Sequence, residues 1–166
     1  MISRDELENE IIDIRRVSKV TKGGRNLRFR VTIVVGDKKG QVGVGVGSTR
    51  EIPRAIHQAI RDAKRNLVRV NMDGGTIPHE IIGEFKAGEV LLKPAYPGTG
   101  VIAGTTVGAI CRLAGIEDVL TKSLGTTNPL TLSRATLDGL SRLRNREQIE
   151  ALRGKTRDAE EVPDEA

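Results

Sequence analysis

Cations are the residues of this sequence whose number and spacing could do chemistry. Residues 15–70 hold 15 Lys and Arg against 3 Asp and Glu, an excess of twelve; residues 1–14 come to minus four and 71–166 to minus three, within a formal net charge of +5. Folding requires no such concentration, whereas neutralising a polyphosphate does. Twelve surplus charges in one short unit give it the electrostatic footprint of a nucleic-acid binder. Arg15, Arg16, Lys19, Lys22, Arg25, Arg28 and Arg30 line two strand-like segments and the Gly23-Gly24 turn between them. Arg50, Arg54, Arg61 and Arg65 fall within about 60° of arc on one side of a helical pattern. A solvated basic face is the plainer account of that second group; the lack of an acidic residue among the four favours phosphate.

Other chemistries find less support. His57 and His79 have no Cys or acidic cluster around them at ligand spacing, so no metal site is readable. Cys111 is the single cysteine and sits in an apolar run, where a thiol packs as a small hydrophobe. Gly40, Gly43, Gly45 and Gly47 lack the G-x-G-x-x-G spacing and the following acid of a dinucleotide site. Pro97-Gly98-Thr99-Gly100 precedes a helical segment and could form an anion nest. It resembles the phosphate loop of the galactokinase and homoserine kinase superfamily, but has neither the Gly-Lys-Ser/Thr of a P-loop nor an acid and base clustered with it. Its two readings are a contact loop, which is favoured, and an ATP site. No catalysis, cofactor or small-molecule substrate is expected. Phe29, Phe85 and Tyr96 are the only aromatic residues, too few for a base-stacking platform, so a nucleic acid would be recognised by phosphate and shape. With no apolar run of about 20 residues and no secretory apolar region, no membrane contact and a cytoplasmic location are expected.

Elements must hold these residues in place. Residues 4–12, RDELENEII, read as a short acidic turn or helix. The alternation that follows is a first strand, ending at Lys22-Gly23-Gly24-Arg25 in a hairpin or extended loop whose glycines allow positive φ. Leu27, Phe29, Val31, Ile33 and Val35 alternate with Arg28, Arg30, Thr32 and Val34, a half-buried strand with a basic outer face. In G-Q-V-G-V-G-V-G, Val42, Val44 and Val46 take one face and Gly43, Gly45 and Gly47 the other; such a glycine face marks close approach of another backbone, a helix or a ligand. A helix comes next. Ser48-x-x-Glu51 matches a capping box, but Pro53 makes Arg50 the expected cap, with Ile52, Ile56, Ala59, Ile60, Ala63 and Leu67 as the core stripe. Residues 71–75 are a turn-rich boundary. Beyond it the pattern predicts strands over 76–84 and 89–95, a helix over 101–114 in which Gly104 and Gly108 permit close packing on a neighbour, and a strand over 117–124. Asn128-Pro129 opens a sandwiched helix that runs to about Leu143. The resulting divisions are an acidic extension over 1–10, a first domain over 11–72, a second over 76–150, and an acidic, apolar-poor tail over 151–166 expected to be disordered.

The ordered set R-V-S-K-V-T-K-G-G-R, V-V-G-D, G-Q-V-G-V-G-V-G, R-E-I-P-R-A-I, K-R-N, P-G-T-G-V-I-A-G, L-A-G-I-E-D-V and G-T-T-N-P-L-T-L-S-R-A-T resembles bacterial ribosomal protein five of the small subunit, from about Ile11 to Leu143. The resemblance implies an α+β chain: an N-terminal βββα domain like a double-stranded-RNA-binding domain, then a C-terminal left-handed βαβ domain. It implies a structural constituent of the small subunit that binds small-subunit (16S-type) rRNA and supports assembly and translational accuracy. Ribosomal proteins four and eight, and messenger RNA where it enters the subunit, are the other implied partners. On the same terms Ser18, Lys22, Gly23, Gly24 and Arg25 lie near the spectinomycin site, and Pro97, Gly98, Thr99 and Gly100 near protein four. The family's A-G-G-x-x-R-A is here Ala103-Gly104-Thr105-Thr106-Val107-Gly108-Ala109, so its arginine is missing at Gly108. Arg112, one turn later on the same face, is the candidate substitute. The docking mode of an ordinary double-stranded-RNA-binding domain is not carried over, because the arginine face and the Lys22–Arg25 loop could grip irregular rRNA in another orientation.

Overall fold

Glycine and alanine set the closest packing in this chain, whose structure, a computed structural model, describes residues 7–154. The expectations for residues 1–6 and 155–166 fall outside the described residues. Strands β1 (Glu8–Thr21), β2 (Gly24–Gly36), β3 (Gln41–Thr49) and β4 (Leu67–Arg69) form an antiparallel sheet in that order, with helix α1 (Ile52–Arg65) between β3 and β4. A Cβ added at Gly43, Gly45 or Gly47 would overlap the backbone oxygen of Ala63, Ala59 or Ala55 respectively. The glycine face therefore admits the helix backbone itself. Only alanine fits at that contact, so Ala55, Ala59 and Ala63 are the fully buried positions of α1. The expected stripe is corrected accordingly: Ile56 and Ile60 pack along the flank, Ile52 is exposed, and Leu67 belongs to β4. Asp62 and Gln58 of α1 accept hydrogen bonds from the Val46 and Ser48 N–H groups at 3.0 and 3.1 Å, satisfying an edge of β3 that the short β4 leaves uncovered.

The start of α1 differs by one residue from expectation. Glu51, not Arg50, is the N-cap, with Pro53 in the first turn, and the capping box from Ser48 does not form. Residues 8–12 are strand rather than helix. Their pairing with β2, from Glu8 opposite Gly36 and through a bulge between Ile11 and Asp13, prevails over the acidic helical pattern.

The second sheet has the order β5-β6-β8-β7, formed by β5 (Ile81–Phe85), β6 (Gly88–Pro94), β7 (Val101–Ile102) and β8 (Val119–Ser123). Only β7 and β8 are parallel, and helix α2 (Thr105–Ala114) joins them. Val101 and Ile102 are thus strand, where a helix is expected. Gly104 caps α2 and touches no neighbour, so the expected close packing at Gly104 and Gly108 is not made. Asn128 caps α3 (Pro129–Ser141) as predicted, its side chain accepting from the Leu130 N–H at 3.3 Å. α3 lies between β5 and β6 on one side and α2 on the other, with Gly83 and Gly139 in direct contact. A short α4 (Arg146–Leu152) follows, with no counterpart in the sequence reading.

Both faces of the first sheet are covered where β2 runs from Val31 to Gly36, every residue of which is buried. Val31, Ile33 and Val35 face α1. Val34, Val42 and Val44 share a core with Val107, Ile110, Cys111 and Leu140 of the C-terminal half. The expected half-buried alternation is therefore not what forms: residues 31–35 are buried on both faces, because α2 packs on the face that would otherwise be solvated, and residues 27–30 are exposed apart from the partly buried Phe29. The 37–40 turn also seats on the end of α2: Lys38 and Gly40 N–H groups donate to the Leu113 and Ala114 carbonyls, each at 2.9 Å. Those carbonyls are among the groups a helix C-terminus leaves open.

Candidate nucleic-acid interface

β3 pairs with β2 only from Phe29 onward, so beyond Phe29 the strands β1 and β2 continue as a two-stranded ribbon with no third strand. Five residue pairs make this ribbon about 17 Å long. Residues 17–28 carry Lys19, Lys22, Arg25 and Arg28 and no acid. The turn closes at Gly24, whose φ of 138° is reserved for glycine, while Gly23 has no positive φ.

Antiparallel partners share a face, and the register divides the cations. Arg15 lies opposite Arg30, Val17 opposite Arg28, and Lys19 opposite Asn26, all on the face that carries Val34 toward α2. Arg16 lies opposite Phe29, Ser18 opposite Leu27, and Val20 opposite Arg25 on the other face, which continues from Val31 beneath α1. The first face is a ladder of charge and the second is mainly apolar. Like charges facing one another destabilise a bare ribbon, and Arg15 is relieved at the base of the ladder by an ion pair with Asp13 at 2.7 Å.

All eleven cations singled out from the sequence are exposed. Arg54, Arg61 and Arg65 share one side of α1 within about 40° of arc, turned away from the buried alanines. Arg50 precedes the helix and leaves that wheel. Glu51 does interrupt the group, pairing with Arg54 at 3.1 Å, both side chains well exposed. Because Thr49 pairs with Phe29, the start of α1 stands beside the base of the ribbon. What reads along the sequence as one basic patch is thus spread over both sides of a sheet. Lys64 and Arg69 are also exposed and extend the basic surface; their membership of the basic segment was the available signal.

The Pro97–Gly100 loop does not present an open nest. Gly98 and Gly100 N–H groups donate to Oδ1 of the buried Asp118 at 3.1 and 2.8 Å, so an internal carboxylate already fills it. Tyr96, at the start of this loop, is 88% exposed. Arg112 folds back over Gly108, where an added Cβ would stand 3.1 Å from its Nη1, and pairs with Glu10 of β1 at 3.3 Å. Cys111 is buried, which pushes its thiol pKa up to about 12 against a smaller opposing effect of Arg112. Among the described residues no group of His, Cys, Asp and Glu could hold a metal ion, and no described helix is long and apolar enough to cross a membrane.

Two family models match the chain: Ribosomal protein S5, N-terminal domain, over residues 7–71, and Ribosomal protein S5, C-terminal domain, over residues 83–153. The chain belongs to the ribosomal protein S5 family. Relatives named small ribosomal subunit protein uS5 agree along nearly its whole length. That of Thermotoga neapolitana is 56% identical over 155 residues, covering 93% of this chain and 87% of the relative. That of Thermotoga maritima is 58% identical over 152 residues, covering 92% and 85%. That of Thermosipho africanus is 53% identical over 154 residues, covering 93% and 88%. The S5 family is structural and not enzymatic. The first matched region ends at residue 71, at the turn-rich stretch where the charge changes sign, and the second begins at residue 83.

Proposed function

We propose that this S5 chain is a cytoplasmic structural constituent of the small ribosomal subunit that grips small-subunit rRNA with the β1–β2 ribbon and the arginine side of α1. The observation that carries this is the ribbon: a projecting pair of strands on which Lys19 and Arg28 continue, on one face, a charge ladder that starts from Arg15 and Arg30 at its base, with no acid beyond that base. A charged ladder that opposes itself in the free protein is relieved when phosphates come between its members. We take the first sheet with α1 as the double-stranded-RNA-binding-like unit, with β4 added to its three strands, and the β7-α2-β8 crossover as left-handed. Support of assembly and of translational accuracy, contacts with ribosomal proteins four and eight, and proximity to entering messenger RNA follow from the family resemblance.

Titration of a small-subunit rRNA fragment at several salt concentrations tests the reading. Binding should weaken steeply with salt, and Lys19→Glu with Arg28→Glu should flatten that dependence by about 2 counterions, near 0.9 for each phosphate no longer neutralised. Arg54→Glu with Arg61→Glu should weaken binding without loss of helical circular dichroism. Salt-independent binding would end the proposal. Asp118 takes the Gly98 and Gly100 amides that a phosphate would need, which speaks against a nucleotide at Pro97–Gly100.

A further inference from the structure

The β5–β6 hairpin turns through two residues, Lys86 and Ala87, between the paired Phe85 and Gly88. Lys86 has a φ of 53°. Glycine or asparagine is the usual occupant of such a position in a tight hairpin, and a lysine there bears backbone strain. The turn places its Nζ 5.6 Å from the centroid of the Phe85 ring. Arg134, on the exposed side of α3, puts its Cζ 5.3 Å from the same centroid. Two cations therefore stand within cation–π range of a single ring.

Neither is neutralised among the described residues by a carboxylate at ion-pair distance. Asp138, one turn beyond Arg134, would be the natural partner, but its Oδ2 is taken by Arg142 at 2.8 Å and by the Glu84 N–H at 3.1 Å. The hairpin tip cannot swing away from α3, because Gly88 sits against Thr131 and the Thr126 N–H donates to the Ala87 carbonyl at 3.0 Å. All of this lies in a half of the chain whose net charge is minus three. A strained lysine and an arginine with no carboxylate partner among the described residues, both held at one ring, offer two contacts to an anion with several oxygens.

We propose that Lys86 and Arg134, held against Phe85, form a second phosphodiester-binding site for RNA on the C-terminal half, separate from the ribbon. The identity of the anion as RNA rests on the rRNA-binding reading; the anion site itself does not. A carboxylate of a partner protein is the competing occupant.

The full-length chain decides it by two measurements. In the first, inorganic pyrophosphate is titrated in while the Arg134 Nε–H and Phe85 ring resonances are followed by NMR. Saturable shifts in the parent and in Lys19→Glu/Arg28→Glu, abolished in Lys86→Gln/Arg134→Gln, are expected; absence of shifts in the parent overturns the site. In the second, the salt dependence of binding to a small-subunit rRNA fragment is compared. Lys86→Gln/Arg134→Gln should lower the number of released counterions by about 2, or near 0.9 per phosphate. An unchanged slope in that variant overturns RNA as the occupant and leaves the partner carboxylate. Should the parent not bind the fragment at all, the function proposed above fails and so does RNA here, while the pyrophosphate shifts still report on the anion site. Both side chains are exposed, and circular dichroism of the double variant checks that the fold is retained.

Discussion

One methyl group tests how α1 is seated. Gly45→Ala would drive a Cβ into the Ala59 carbonyl and the Ala63 backbone, and neither side can yield without moving the helix. Overpacking of this kind costs about 1–3 kcal/mol, so the urea midpoint should fall with the slope unchanged, whereas Gly23→Ala, with open space around it, should leave it in place. Cys111 is inert for a physical reason: burial opposes the thiolate. Its folded pKa of about 12 lies above the ordinary value of 9.0, so stability owed to this group is intact below 9 and is lost as pH climbs from there toward 12. Thiol reagents at pH near 8 should react only on unfolding, at a rate that rises with denaturant. Arg112→Ala removes the pair with Glu10 and the cover over Gly108, but the pair is half-exposed and worth only about 0–1 kcal/mol. The expected result is a melting temperature close to the parent's and, on the proposal that Arg112 supports the contact with protein four, a modest rise in misreading by ribosomes that carry it.

The ribbon shows what a local pattern can and cannot convey at the scale of an element. Its turn was legible because Gly23-Gly24 interrupts two alternating runs; its independence from the third strand was not, since that depends on where β3 ends against Phe29. The positive φ at Gly24 alone separates the two glycines. Gly24→Val should disturb the hairpin, and on the proposed placement near the spectinomycin site it should alter the drug's inhibition curve in reconstituted ribosomes; Gly23→Val should not. Equal curves for both variants and parent would remove the loop from that role. Global unfolding should change little in either variant, because no residue from 18 to 28 reaches the core. β4 and β7, with three and two residues, escaped the sequence reading because alternation cannot show in so short a run. They exist because β3 and β8 offer them partners.

On the whole molecule the charge map and the core disagree about where one unit ends. Charge changes sign near residue 71, where the first of the two matched family regions ends. The core runs straight across: Val34, Val42 and Val44 are buried against α2, and the 37–40 turn is bonded to the end of that helix. Residues 7–72 alone would expose those three valines, each worth about 1.5–3 kcal/mol of burial. That excised piece should show a non-cooperative or absent urea transition, or associate, and regain cooperativity with residues 73–154 supplied. A cooperative transition matching that of the full chain would show that α1 suffices as a cover.

Composition and periodicity determined what depends on neighbours along the chain: the basic segment, the glycine-faced strand, the alternation of β2, the Asn128 cap and the turn at Gly23-Gly24. Each is a one-dimensional property, set by charge, by the two-residue repeat of a strand, or by backbone freedom at a single position. Tertiary structure decided the rest. The glycine face could have met a ligand, and meets the α1 backbone; Pro97–Gly100 could have cradled a phosphate, and holds Asp118 instead. Eleven cations that lie together in sequence are distributed over two sides of a sheet by cross-strand register. Register, like the choice of an internal or external partner for an open amide, is fixed by which distant segment packs closely enough to exclude water, and no local pattern carries that distance.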